Sequence, residues 1–199
     1  MYDFPETEKK LKSRISSYKS ALLKEKQKFG YVNDGGGKRY LLFVLYFVLN
    51  DLGKTADYIE WYEKEFSDDA GEPIQKLCWA LSLKRMDNEA GAKKMLAETM
   101  LSNLYIIPKL LGQAIDEYDM WHASSDGDIG YANNIPRQVV ASISETEIQW
   151  LSQEYESPEF RRIRRRYIEI FRALRNTKEI TGRSALVEES NSLLDSLSQ

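Results

Sequence analysis

The chain has 199 residues, of which 42% are hydrophobic and 30% charged, and its 28 basic and 31 acidic residues give a formal net charge of −3. This supply of apolar side chains excludes wholesale disorder, and the charge balance gives no overall indication of nucleic-acid binding. The only cysteine, Cys78, cannot form an internal disulfide bond and favours a reducing compartment, so we expect a cytoplasmic protein. The N-terminus lacks a signal-peptide pattern, and the longest apolar run, residues 41–49, is too short to span a membrane. We therefore expect no membrane association.

Residues 1–30 predict an amphipathic N-terminal helix. Asp3 as the N-cap and Pro5 in the first turn indicate its start, and a glycine at position 30 indicates its end. Apolar residues recur at a spacing of three, four and seven positions, which places them on one stripe: Leu11, Ile15, Tyr18, Leu22 and Phe29. We expect this stripe to pack on the helices that follow.

Two helix pairs are predicted within residues 38–112, with breaks at Gly53 and at Asp87-Asn88. The four helices cover residues 40–52, 55–66, 74–86 and 89–101. When residues 42–66 are aligned with residues 76–100, 12 of the 25 positions are apolar in both windows, against about eight expected by chance. This 34-residue period favours a helical repeat, and an ordinary helical bundle is the alternative.

The same segment resembles the tetratricopeptide repeat (TPR), a helix–turn–helix unit. Leu52-Gly53 is similar to the break between its paired helices, and residues 62–69 are similar to the end of its second helix. Ala92 stands where that repeat has a small residue, whereas Tyr58 departs from the pattern. The resemblance covers residues 39–106 and implies an all-α fold of about two TPR-like repeats, with the N-terminal helix and C-terminal helices as accessories.

A second resemblance is to a group of bacterial TPR-like proteins that end in a Pro-x-Leu-Leu-Gly element. It rests on four short stretches, residues 38–43, 61–66, 69–73 and 107–112. No defined activity is associated with that group, so this resemblance implies no functional residues.

Beyond residue 112 the helical pattern loosens. Residues 113–143 predict a loop-rich connection, in which Val139-Val140 forms a short extended piece. A capping box at residues 144–147 predicts the start of the C-terminal helices, which occupy residues 144–199. They include a basic helix at residues 158–176 and, from Ser184, a weakly amphipathic or frayed tail.

The features that suggest bound ions or catalysis are better explained by ordinary structure. Residues 35–38 lack the first glycine and the final Ser or Thr of a phosphate-binding loop, and residues 126–128 lack the later ligands of a calcium loop. The only His, His122, and the only Cys, Cys78, are too few for a zinc site. We expect no metal, no cofactor and no enzymatic activity, and we leave open a carboxylate site in the loops at residues 113–143.

The first helices of the two pairs predict an apolar groove that includes Tyr40, Phe43 and Phe47. In the TPR family a clamp for a terminal carboxylate uses Lys, Asn and Arg at such positions, so these residues disfavour a clamp. Either an apolar segment of a partner docks there or the chain's own helices cover the groove. Lys84 and Arg85, at the end of the third predicted helix, form a lesser candidate patch.

The basic helix is the main candidate site. Residues 160–178 contain seven Arg and one Lys against one acid, and the polar face of the helix presents Arg161, Arg165 and Arg172. Three occupants of this face are open: the chain's own acidic residues 54–73, an acidic partner protein, or nucleic acid. We expect a non-enzymatic adaptor, scaffold or neutralising protein that binds a protein with an acidic surface. A nucleic-acid-binding or regulatory protein that uses the same helix is the alternative.

Overall fold

The structure, a computed structural model, describes residues 4–122 and 124–198, and the regular secondary structure within them is entirely helical. Its α-helices are α1 (Glu8–Phe29), α2 (Lys38–Leu49), α3 (Leu52–Glu65), α4 (Pro73–Arg85), α5 (Glu89–Ser102), α6 (Ile106–Leu110), α7 (Arg137–Ser142), α8 (Glu145–Glu156), α9 (Pro158–Asn176) and α10 (Ile180–Ser192). Short 3₁₀ helices lie at Ser125–Gly127, Ile129–Asn134 and Asp195–Ser198. The predicted all-α class is therefore confirmed.

The first helix begins later than predicted. The side chain of Thr7, the observed N-cap, accepts a hydrogen bond from the Lys10 N–H at 3.3 Å, so the helix starts at the following residue. Pro5 precedes the helix instead of lying in its first turn, and Asp3 lies outside the described residues. The hydroxyl of Thr7 satisfies a first-turn N–H, and this local hydrogen bond sets the boundary.

The apolar stripe of α1 is buried along most of its length. Leu11, Ile15 and Leu22 are buried and α1 packs on α2, whereas Phe29, in the last turn, is 53% exposed. Gly30 ends the helix in the left-handed region (φ 79°), where a residue without a Cβ meets no steric cost.

Both helix pairs turn at a residue with left-handed backbone. Asn50 (φ 55°) ends α2 and Asp51 caps α3; Asp87 (φ 57°) and Asn88 occupy the equivalent places between α4 and α5. Asn and Asp tolerate this backbone region better than most residues. The predicted break at Gly53 is wrong, because the turn comes earlier and Gly53 lies in the first turn of α3.

The spacing between the two pairs differs from 34 residues. The N-caps Asp51 and Asn88 lie 37 positions apart, as do the C-caps Phe66 and Asn103. A shift of three residues is nearly one helical turn, so the 34-residue alignment still matched apolar faces of α3 and α5. The alignment of α2 with α4 gives many apolar matches at almost any offset, because most residues of both helices are buried.

The centre of the core lies where α4 packs against α2 and α5. Leu81 is fully buried there and Trp79 is 8% exposed, as the sequence predicted. The Trp79 ring stacks on Phe43 with 4.9 Å between ring centroids. Such contacts between aromatic rings add to the stabilisation that comes from burying their area.

The predicted apolar groove is not an open surface. Phe43 and Phe47 are each 1% exposed, and Phe43 lies among rings of α3 and α4, including Tyr58 and Trp79. The guanidinium carbon of Arg85 lies 4.1 Å from the centre of the Phe47 ring. These two positions therefore belong to the core, because α3, α4 and Arg85 enclose them.

The connection at residues 113–143 contains more helix than predicted. Val139 and Val140 belong to α7 and not to an extended piece. Val139 is completely buried and α7 packs on α2. An extended pair would need a neighbouring strand for its backbone hydrogen bonds, whereas a helix satisfies them internally and buries Val139.

The C-terminal helices begin with the predicted capping box. The Ser144 hydroxyl accepts a hydrogen bond from the Glu147 N–H, and the Glu147 carboxylate accepts one from the Ser144 N–H at 2.7 Å. Farther along, α10 packs on α9 without burying any residue fully. No helix in the described part of the chain is long and apolar enough to cross a membrane.

Candidate partner-binding surface

The sequence around Ser157 positions α9. The Ser157 hydroxyl accepts a hydrogen bond from the Phe160 N–H at 3.3 Å, and Pro158 at the first helical position fixes a backbone angle suited to a helix. One face of α9 packs against the rest of the molecule through six buried residues: Phe160, Ile163, Ile168, Ile170, Phe171 and Leu174. The rest of the helix surface carries the arginines.

Arg164 is directed into the protein. Its side chain is partly buried, its guanidinium carbon lies 3.8 Å from the centre of the Tyr155 ring, and Nη1 donates to the Tyr155 carbonyl at 3.0 Å. Arg164 therefore joins α9 to the end of α8 and is not available to a partner.

Arg166 is neutralised within the molecule. Its Nε and Nη2 donate to the two oxygens of Glu189 at 2.6 and 2.8 Å, and Nη1 donates to Glu169 at 3.0 Å. The Glu189 hydrogen bond is the main cause of a raised pKa of Arg166, and it lowers the pKa of Glu189. This two-point contact connects α10 to α9.

Arg161, a predicted site residue, and Arg175 also have acidic neighbours. Arg161 donates from Nε and Nη2 to one oxygen of Glu156 at 3.0 and 2.7 Å, which lowers the pKa of Glu156. Arg175 pairs with Asp119. Since the side chain of Arg161 is still 61% exposed, it can contact a partner as well, but part of its charge is already balanced.

Arg165 and Arg172 differ from these arginines. Both are exposed, and neither forms an ion pair with any residue in 4–122 or 124–198. They are seven positions apart, which places them on one face about 10 Å apart along the helix axis. Arg161, one turn before Arg165, lies on the same face. These three residues are called the basic surface below.

The sequence suggested that Arg85 forms an open basic patch, but the structure shows that its side chain is engaged within the protein. Its Nε donates to Glu147 at 2.7 Å and Nη2 donates to the Ser142 carbonyl at 2.6 Å. Nη1 donates to the Phe47 carbonyl at 3.1 Å and to Asn50 Oδ1 at 3.0 Å. Arg85 therefore connects α2, α4, α7 and α8, and its donors are occupied.

Lys84, its neighbour, is also engaged. Its ammonium pairs with Glu89 and lies 5.6 Å from the centre of the Trp150 ring. The lesser candidate patch, Lys84 and Arg85, is therefore occupied by contacts of α4 with α2, α5, α7 and α8, and neither residue contacts the basic surface in the described residues.

Tyr40, the remaining groove candidate, is half-buried and hydrogen-bonded. Its hydroxyl donates to Asp69 Oδ1 at 2.7 Å, while the Arg39 guanidinium, 4.1 Å from the centre of the Tyr40 ring, also binds Asp69. Burial is the main cause of a raised pKa of Tyr40. This network fixes the start of α2 to the loop that precedes α4.

Sequence reasoning missed the acids that neutralise α9. The acidic residues 54–73 were one of the three occupants left open, but the observed intramolecular partners come from elsewhere: Asp119, Glu156, Glu169 and Glu189. Only Glu169 has a clear local signal, because it follows Arg166 by three positions on the same helix. The contacts of Asp119 and Glu189 depend on the packing of distant segments.

No group of three or more His, Cys, Asp and Glu among residues 4–122 and 124–198 is arranged to hold a metal ion, including the loop carboxylates of residues 113–143. Cys78 is fully buried, and burial raises the pKa of its thiol, which disfavours a nucleophilic thiolate.

No protein-family model matches the chain, and no curated protein and no solved structure matches it significantly.

Proposed function

We propose that this protein is a non-enzymatic interaction module that binds an acidic surface of another protein through Arg161, Arg165 and Arg172 on α9. An adaptor, a scaffold or a neutralising partner would all use such a surface. The observation that supports the proposal is the exposure of Arg165 and Arg172 without an ion pair in the described residues, on a helix whose other face is firmly packed.

Arginine suits this role because its planar guanidinium presents several donors that match a carboxylate. The two side chains are on a rigid helix, so a partner carboxylate meets donors with a fixed spacing. Arg165 and Arg172 also lack an ionic partner within residues 4–122 and 124–198, so a carboxylate can bind them without breaking an ion pair seen in the structure.

An acidic protein fits this surface better than nucleic acid does. A nucleic-acid backbone carries closely spaced phosphates and is usually bound through many basic contacts. Here Glu156, Glu169 and Glu189 lie on or beside the same helix surface and would repel phosphates. A protein surface can place single carboxylates opposite Arg165 and Arg172 and leave these acids solvated.

The proposal also includes a TPR-like arrangement of α2 to α5 and a cytoplasmic location. Two consecutive helix–turn–helix pairs with equivalent capping residues support the first. The unpaired, buried Cys78 supports the second, because a reducing compartment suits a free thiol.

The test uses the double variant R165E/R172E. Because neither side chain makes an ion pair with a described residue, the circular dichroism spectrum should be unchanged and the melting temperature should stay within about 3 °C of the wild-type value. The wild-type protein should bind a fluorescent Glu-rich peptide, and the variant should bind it at least about tenfold more weakly, since two charge-assisted hydrogen bonds are lost.

A matched control is K10E/K24E on α1, which makes the same charge change at two exposed lysines without ion pairs in the described residues. It should keep wild-type affinity. Unfolding of R165E/R172E would mean that the arginines are structural. Equal weakening by both double variants would reduce the effect to net charge, and unchanged binding by R165E/R172E would reject the basic surface.

Nucleic acid is tested in the same titrations. A single-stranded oligonucleotide with the same number of charges as the peptide should bind more weakly than the peptide. If it binds more tightly, with affinity that falls about tenfold or more between low and physiological salt, the nucleic-acid alternative replaces the proposal. Affinity isolation from the native cell, with and without nuclease, gives an independent test. A protein partner that is recovered after nuclease treatment supports the protein-binding proposal, and loss of the partner after that treatment supports nucleic acid.

A further inference from the structure

A second surface feature lies away from α9, between α3, α4 and α5. It is a cleft of about 570 Å³, a size typical of small-ligand sites. Its walls include the aromatic rings of Tyr62, Phe66 and Trp79, and no residue of α9 contributes to it. The loop between α3 and α4 forms one end.

The cleft contains an unusual concentration of unpaired hydrogen-bonding groups. Of the buried side-chain polar atoms without a hydrogen-bond partner in the described residues, three belong to its walls: the Tyr62 hydroxyl, Gln75 Nε2 and Trp79 Nε1. These residues are 4%, 1% and 8% exposed. Buried polar groups in folded proteins are nearly always paired, so three unpaired groups in one cleft require an explanation.

The orientation of the Gln75 amide follows from its other hydrogen bond. Gln75 Oε1 accepts from the Glu72 N–H at 2.9 Å as part of the capping box of α4. Turning the amide over would place two donors against each other, so Nε2 is the unpaired atom. Gln75 Nε2 and Trp79 Nε1 are therefore both donors without a well-aligned acceptor in the described residues.

The Tyr62 hydroxyl is the third unpaired group. Burial is the main cause of a raised pKa of Tyr62, and nearby Gln75 and Asp69 also affect it, although neither makes a hydrogen bond of ordinary geometry with the hydroxyl. The hydroxyl therefore stays protonated at neutral pH and can donate. Three donors therefore lie behind the walls of the cleft, covered from solvent.

The charges around the cleft balance. Asp69 is paired with Arg39, and Lys76 is paired with Glu98. Among the remaining lining residues, Glu63 and Lys94 are exposed and have opposite charges. A charged ligand would gain no overall attraction, so the donors are better matched by the carbonyl oxygens of a neutral molecule.

We propose that the cleft between α3, α4 and α5 binds a neutral, carbonyl-bearing ligand with an apolar group, such as a peptide amide, whose oxygens accept from Tyr62, Gln75 and Trp79. Its apolar group would lie against the aromatic walls. This site goes beyond the proposed function, because it uses no residue of the basic surface.

The three polar atoms are covered from solvent in the present structure, so a lining side chain has to turn aside when the ligand enters. Met95 is suited to this movement, because it is only partly buried and its thioether side chain adopts several shapes at low cost.

Nuclear magnetic resonance tests the site directly. The chain has four Trp, and the indole N–H signal of Trp79 is assigned by its loss in Trp79→Phe. The probe is N-acetyl-leucine N-methylamide, with N-acetyl-leucine as the charged counterpart. We expect a saturable shift of the Trp79 signal with the neutral probe and at least about fivefold weaker binding of the carboxylate.

Two tyrosine variants form a matched pair. Tyr62→Phe removes an unpaired hydroxyl from the cleft and should weaken binding of the neutral probe about five- to tenfold, the loss expected for one hydrogen bond. Tyr46→Phe removes the other buried unpaired tyrosine hydroxyl in the described residues, which does not line the cleft, and should leave the affinity unchanged. R165E/R172E should also bind the probe normally.

Several results would overturn the proposal. They are the absence of a saturable Trp79 shift at the solubility limit of the probe, equal effects of the two tyrosine variants, and tighter binding of the carboxylate. A long-lived water that remains on the Trp79 indole N–H at saturating probe would also overturn it, because the donor would then be satisfied by solvent.

Discussion

Leu81 illustrates how single buried side chains hold this fold together. It is completely buried on α4, the helix that packs on both α2 and α5. Leu81→Ala should lower the free energy of unfolding by about 2–5 kcal/mol, because it removes apolar contacts and leaves a cavity. Urea denaturation measures the loss.

The control for Leu81 is Leu23→Ala on α1, where the leucine is 46% exposed. It should change the free energy of unfolding by less than about 0.5 kcal/mol. A cost of that small size at Leu81 would mean that the packing of α4 has been placed incorrectly.

Glu147 gives the fold a dependence on pH. Burial alone would raise its pKa, but the hydrogen bonds from Arg85 and Ser144 outweigh this and hold the pKa below the ordinary value of 4.5. Because the folded pKa lies below the unfolded one, the stabilisation is complete above about pH 4.5 and is lost as the pH falls through the folded pKa.

Glu147→Gln tests this dependence. The variant should be less stable than the wild type at pH 7, because Arg85 then lacks a charged partner in a largely buried site. Between pH 5 and pH 3 its free energy of unfolding should fall less steeply than that of the wild type. Parallel urea titrations across this range check the slopes, and identical slopes would show that Glu147 is not responsible.

The contacts of individual side chains differ in how far the sequence predicts them. Leu81 and Trp79 were predictable, because apolar residues at helical spacing are buried wherever the helix packs. Arg85 was not, since its carboxylate partner is 62 positions away along the chain and their pairing requires α4 and α8 to meet. The unpaired group on Gln75 was equally hidden, because hydrogen-bond satisfaction depends on the completed fold.

At the element scale, the two turns within the helix pairs provide a comparison. Asn50 and Asp87 both have left-handed backbone, but Asn50 Oδ1 accepts a hydrogen bond from Arg85, whereas the Asp87 side chain has no such contact in the described residues. Asp87→Gly should stabilise the protein by about 0.5 kcal/mol, because glycine adopts this region without steric cost.

Asn50→Gly is expected to have the opposite effect. It relieves the same backbone cost but removes the acceptor for Arg85, so the net change should be a destabilisation of about 0.5–1 kcal/mol. Thermal and urea unfolding of the two variants measure the difference. The same sign for both would show that either the backbone region or the Arg85 contact is assigned incorrectly.

Helix boundaries were predictable where the capping chemistry is local. The capping box of α8 and the Ser157-Pro158 start of α9 agree with the sequence patterns. The break placed at Gly53 failed, because Asn50 can adopt left-handed backbone and ends α2 three residues earlier. The extended piece predicted at Val139-Val140 was wrong because of tertiary packing. Burial of Val139 against α2 stabilises a helix there.

At the scale of the whole molecule, the charge distribution explains why the basic surface is small. The seven arginines of α9 lie in a chain with a net charge of −3, and acids from α8, α9, α10 and the loop before residue 122 are paired with three of them. The sequence predicted a basic helix, but not that Arg165 and Arg172 would be without an ion pair among the described residues. Which arginines are paired depends on where the packed fold places these acids.

The C-terminal helix α10 packs on α9, the helix that carries the basic surface. No hydrophobic residue after Leu174 is buried among those described, so a chain of residues 1–179 should still unfold cooperatively, with a loss of about 1–3 kcal/mol. Truncation also removes Glu189 and leaves Arg166 paired only with Glu169, so affinity for the Glu-rich peptide should rise about two- to fivefold. Glu189→Gln separates the two effects, because it removes the same charge from beside Arg166 but keeps α10, and it should raise the affinity alone. Fluorescence titration measures the peptide affinity, and urea unfolding the stability, of the truncated chain and of Glu189→Gln.

A truncated chain without cooperative unfolding would show that α10 is integral to the fold. Unchanged affinity in both variants would show that Arg166 does not border the binding surface.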